Sequence, residues 1–186
     1  MTTSWLIAHS WTTTAGLVAL LVLGPPLAAW LAGRPRTARR LALLAAVPVV
    51  VLTLAPAWPT DGGVRCAVAT GWPDLGAVEP LANVLLFAVP VLVATAAWRR
   101  PVVAAVGASV LSAAIELVQA VVPLLGRACD TGDWVANSTG AVLGAVLGWL
   151  ALTAAGRGTG RARRASAPAG PRRSATARSS PPARRG

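Results

Sequence analysis

Glu116, Arg127, Asp130 and Asp133, which can carry acid, base or ion-pair chemistry, crowd into one stretch from Ser109 to Gly148, where a short polar loop joins two apolar segments. Glu116 sits inside the first apolar segment. An ionised carboxylate is costly there, and within a membrane span it is a functional-site hypothesis by default. Ser109, Ser112, Glu116 and Gln119 fall at i, i+3, i+7 and i+10, so a helix sets all four on one face. Beyond the loop, Asp133, Asn137, Gly140, Gly144 and Gly148 fall at i, i+4, i+7, i+11 and i+15, a face that is polar at its start and smooth thereafter. Such a glycine ridge lets another helix approach closely. The preceding apolar helix is its nearest chain neighbour, and the ridge also offers a route to a homo-oligomer.

Two kinds of chemistry suit these residues. Glu116 or Asp133 can act as a general base with Arg127 holding a phosphate, as in a hydrolase or transferase. A buried carboxylate with serines along one helix face can instead relay protons in a small transporter, although no inverted repeat is evident. Structural readings stand beside both. A protonated Glu116 can hydrogen-bond a neighbouring helix, and Asp130 with Asp133 fits a capping box for the helix that follows. With Glu116, Asp130 and Asp133 all ionised, three negative charges face Arg127 alone, so either one carboxyl is neutral or a metal ion or cationic substrate group binds. The spacing matches no specific metal motif, and no cofactor is called for. The single histidine, His9, lies far along the chain, which argues against a histidine-nucleophile lipid phosphatase.

The elements that position these residues are apolar. Of 186 residues, 55% are hydrophobic and 12% charged, too apolar a balance for an ordinary soluble domain. The expected fold is an all-α transmembrane bundle of about five spans, covering residues 1–155, followed by a disordered Arg/Pro/Ser-rich tail over 156–186. The first span, Trp11–Ala32, lacks the basic flank of a secretory signal and carries Gly24-Pro25-Pro26, which should kink it. A basic loop, Arg34 to Arg40, leads to a second span from Leu41 to about Ala57. The turn-rich loop from Pro59 to Glu79 follows. A third span then runs to Trp98, a fourth covers Val102–Leu125, and a fifth roughly Trp134–Ala155. Measured from Leu125, Glu116 would lie roughly 14 Å below the end of its helix.

The net charge of +11 is distributed as topology rather than as a nucleic-acid surface. Arg34, Arg36, Arg39, Arg40, Arg99, Arg100 and the nine tail arginines fall on one side of the alternating spans, leaving Arg65 and Arg127 on the other. The positive-inside rule then sets the N-terminus outside and the C-terminus in the cytoplasm. Cys66 and Cys129 both fall in external loops, where an oxidising exterior and an even count point to a disulfide, with two independent thiols as the alternative. The bridge would also draw Asn83 toward the charged cluster.

Asn83-Val84-Leu85-Leu86-Phe87 with Pro90, Ser112-x-x-x-Glu116-x-x-Gln119, and Arg127-x-x-Asp130-x-x-Asp133-x-x-x-Asn137-x-x-Gly140 together resemble the VanZ-like membrane proteins over residues 78–150. The resemblance implies a role for Asn83, Glu116, Gln119, Arg127, Asp130, Asp133 and Asn137 in binding. It also implies a multi-pass protein of a bacterial plasma membrane acting on the cell envelope, since the family's namesake is associated with reduced sensitivity to the glycopeptide teicoplanin. The expected partners are membrane lipids and a lipid-linked envelope precursor or other amphiphile, with no nucleic acid. One departure stands out: the family's LFxPLG pattern is replaced by Phe87-Ala88-Val89-Pro90-Val91, which delays the proline and lacks the glycine.

Overall fold

The computed structural model describes residues 9–56, 66–69, 71–72, 74, 76–126 and 128–165. Five long helices make up the bundle: α1 (Trp11–Ala32), α2 (Pro35–Leu54), α3 (Val78–Trp98), α4 (Pro101–Val121) and α5 (Thr131–Ala165). Each is long and apolar enough to cross a membrane. Two-residue strands, β1 (Cys66–Ala67) and β2 (Cys129–Asp130), pair in parallel with Cys66 opposite Cys129.

Prolines set most of the helix boundaries. α2 and α4 both open on an Arg-Pro step, with Pro35 and Pro101 in the first turn, where the missing N–H costs nothing. The segment from Arg34 to Arg40, expected as a loop, is therefore mostly the start of α2. Arginine is itself a good helix former, so nothing in the segment opposes this. α2 stops at Leu54 because Ala55 precedes Pro56 and takes an extended conformation, φ −60° and ψ 130°. α4 stops at Val121, short of the expected Leu125, because Val122 precedes Pro123 and the chain tightens into a 3₁₀ turn, Pro123–Leu125. α5 starts three residues before Trp134 and continues ten beyond Ala155, so the first part of the basic tail is helical. The rest of the tail, like Trp58, Asp61 and Arg65, lies outside the described residues.

α3 is the axis of the bundle and packs against each of the other four helices. Of its apolar window 56% is buried, against 11% for α4. α4 shows Val102, Val103, Val106, Val110 and Leu117 on its outer surface, an apolar exterior suited to lipid. Phe87, Ala88, Leu92 and Ala96 of α3 are among the most buried side chains in the molecule.

The Gly140/Gly144/Gly148 ridge packs on α3, not on α4 as expected, and the surface proposed for a second copy is thus filled within the chain. A Cβ on Gly140 would overlap the Val84 carbonyl, and one on Gly144 the Ala88 carbonyl. A Cβ on Gly148 would come within 2.7 Å of the Thr95 side chain. Only glycine allows α3 and α5 this backbone-to-backbone approach.

Candidate binding site

The starts of α1, α3 and α5 and the ends of α2 and α4 share one end of the bundle, and the polar side chains gather there. Cys66 and Cys129 form a disulfide, with their Cα atoms 4.5 Å apart, which ties the segment before α3 to the head of α5. Beside it, the Ala69 N–H donates to Thr131 Oγ1 at 2.8 Å.

The link fixes Asp130, and Asp130 organises its surroundings. Its Oδ1 accepts the Gly132 N–H at 2.7 Å, capping α5. Its own N–H donates to Glu116 Oε2 at 2.8 Å. Asp133, expected to close a capping box on that N–H, instead accepts from Asn83 Nδ2 at 2.7 Å. The box is therefore split between two helices: Glu116 of α4 supplies the reciprocal acceptor, and Asp133 is released to hold α3. With α4 ending at Val121, Glu116 lies about 7.5 Å from the end of its helix rather than roughly 14 Å. It is half-buried.

Deeper in the bundle, Asn137 is buried and its Nδ2 donates to Ser112 Oγ at 2.9 Å. One turn further, the Ser109 and Ser138 hydroxyls bond at 2.7 Å, and Trp134 Nε1 donates to the Ser109 carbonyl at 3.2 Å. The polar stripe of α4 thus meets α5 at Trp134, Asn137 and Ser138. Gln119 points elsewhere, donating from Nε2 to the Thr53 carbonyl of α2 at 2.8 Å. Arg127 lies outside the described residues.

Asn83, Glu116, Gln119, Asp133 and Asn137 line a single cavity of about 840 Å³. Its wall also includes Thr12 and Thr13 of α1, Thr53 of α2 and Glu79 at the head of α3. No motif marked the threonines, though their place at the ends of apolar runs that face the charged loops was the available signal. Toward the bundle centre the lining turns apolar, through Pro48 and Leu52 of α2 and Leu86, Val89 and Pro90 of α3. Val89 lies eleven residues into α3, so the cavity reaches about 16 Å along the helix, half the thickness of a hydrocarbon core of about 30 Å. Among the described residues no group of three or more metal-ligating side chains occurs.

Five helices that can each span a bilayer, around a cavity that is polar at one end of the bundle and apolar toward its centre, define a multi-pass membrane protein. The chain belongs to the VanZ/LLP1 family, whose model matches residues 13–152. That match takes in α1 and α2 as well as the 78–150 segment that carries the polar motifs. No curated protein and no solved structure matches the chain.

Proposed function

We propose that this protein works at the outer face of a bacterial plasma membrane, where its cavity engages the head of a lipid-linked or other amphiphilic envelope component. We further propose that this activity belongs to the processes that set sensitivity to glycopeptides such as teicoplanin. The observation that carries the reading is the cavity, which joins polar groups from five helices to an apolar inner part and reaches about 16 Å along α3. Two independent features support an external mouth. Arg34, Arg99 and Arg100 in the α1–α2 and α3–α4 connections and Arg36, Arg39 and Arg40 at the start of α2 lie at the opposite end of the helices, as the positive-inside rule asks of a cytoplasmic side. The Cys66–Cys129 disulfide is at the cavity end, and disulfides persist in oxidising compartments.

Deletion of the gene in its host tests the reading. The expected result is altered glycopeptide sensitivity together with a changed profile of envelope lipids. Both unchanged would overturn the assignment to envelope chemistry. Sidedness is tested separately by a membrane-impermeant maleimide added to intact cells after mild reduction. It should label Cys66, which is exposed, and failure to label it in intact cells but not in lysed ones would reverse the orientation.

A further inference from the structure

Among the described residues that line the cavity, Asn137 keeps a buried polar atom that the fold leaves unanswered. Asn137 is 3% exposed and lines the cavity, and while its Nδ2 donates to Ser112, its Oδ1 meets no donor among the described residues. Burying an amide oxygen without a partner is unfavourable by a margin that matters in a small bundle. Glu116 lines the same cavity with one carboxylate oxygen already engaged by the Asp130 N–H. The two side chains come from adjacent helices, and both offer acceptors. Two such acceptors suit a ligand that brings hydrogen-bond donors.

We propose that the cavity selects an amphiphile whose head carries N–H or O–H donors, one of which satisfies Asn137 Oδ1 while the hydrocarbon portion lies against Leu86, Val89 and Pro48. This rests on the reading of the cavity as an amphiphile site and names the head chemistry it takes. A primary ammonium and a sugar hydroxyl are the two sources of that donor, and a quaternary ammonium of equal charge lacks it.

The full chain, purified in detergent, is offered phosphatidylethanolamine, phosphatidylcholine or a diacylglycerol monoglucoside, and the lipid retained is counted by native mass spectrometry. The ethanolamine lipid or the glucoside should be retained about tenfold better than the choline lipid, the size expected of one satisfied buried acceptor. Which of the two is preferred identifies the donor. Asn137→Leu should bring retention of all three within about twofold, and Asn137→Asp, which keeps an acceptor oxygen, should preserve the preference. Equal retention of all three lipids by the natural chain means that the amide oxygen is simply hydrated and overturns the proposal, as does a preference that survives Asn137→Leu. A lipid preference without any phenotype on gene deletion would remove the envelope role and leave this site standing. The reverse pair of results would remove the site and leave the role.

Discussion

α5 meets its two main partners in opposite ways. Against α3 it presents Gly140 and Gly144, which meet backbone, and Gly148, which meets the Thr95 side chain, with no room for a single carbon at the first two. Against α4 it presents Trp134, Asn137 and Ser138, which hydrogen-bond side chains and one carbonyl, beside a patch of small apolar residues where Ala104, Ala105 and Ala108 pack on the cluster of Ala141 and Ala145. The first interface is all-or-none, because a helix pair that cannot approach cannot form its dispersion contacts. The second is a sum of small terms, since hydrogen bonds between spans average about 0.6 kcal/mol. The cavity draws on both interfaces: Asn83 and Asp133 bond across the α3–α5 pair, while Asn137 is held by Ser112 across the α4–α5 pair.

The contrast breaks most severely at Gly140. Gly140→Val should abolish recovery of monodisperse protein in detergent, a loss beyond about 4 kcal/mol, because the new side chain meets the Val84 carbonyl, which no rotamer change can move. Recovery at natural levels would mean that α3 and α5 are not packed as described. Next in size is the disulfide, which staples the head of this same pair. Replacing Cys66 and Cys129 together by serine should lower stability by about 2–4 kcal/mol, read as a fall in the thermal unfolding midpoint. The lower part of that range is expected in a bilayer, where the spans already confine the unfolded chain. A third change probes a side-chain bond between α3 and α5, that of Asn83 to Asp133. Asn83→Leu removes the donor to Asp133 and should cost about 1–2 kcal/mol. The smallest effect belongs to the α4 side, where Ser109→Ala should cost about 0.6 kcal/mol in the same assay. A Ser109→Ala effect as large as that of Asn83→Leu would erase the distinction between the two interfaces.

Much of this arrangement is legible in the residues themselves. The five spans follow from apolar length, and the pairing of Cys66 with Cys129 from topology and count. The meeting of Asn83, Glu116, Asp133 and Asn137 follows from helix periodicity once the disulfide draws Asn83 in. What periodicity cannot supply is the partner of a face. The glycine ridge declares that something packs closely, but α3 and α4 are both apolar helices, and only the three-dimensional arrangement selects α3. Gln119 shares the polar stripe of Glu116, yet it turns to the Thr53 carbonyl because α2 ends just there, at a boundary set by Pro56. The early end of α4 was readable at Pro123, which forbids a regular helix at Val122, and the apolar run through Leu125 masked it. The residues that form the cavity's far wall, Thr12, Thr13 and Thr53, belong to helices whose sequence shows no chemistry at all.

α5 has 35 residues where the other helices have 20 to 22, which makes it about 52 Å long. A hydrocarbon layer of about 30 Å leaves some 20 Å of that helix standing in water and headgroups. At the far end from the cavity this excess carries Arg157 and the arginines that follow it in sequence, and drawing one to the bilayer centre costs about 2.5–3.5 kcal/mol. Arginines at the headgroup level anchor the end of a span, and an anchored span answers a change of bilayer thickness by tilting. The glycine ridge and the Cys66–Cys129 disulfide hold α3 to α5, so a tilt of one is a tilt of both.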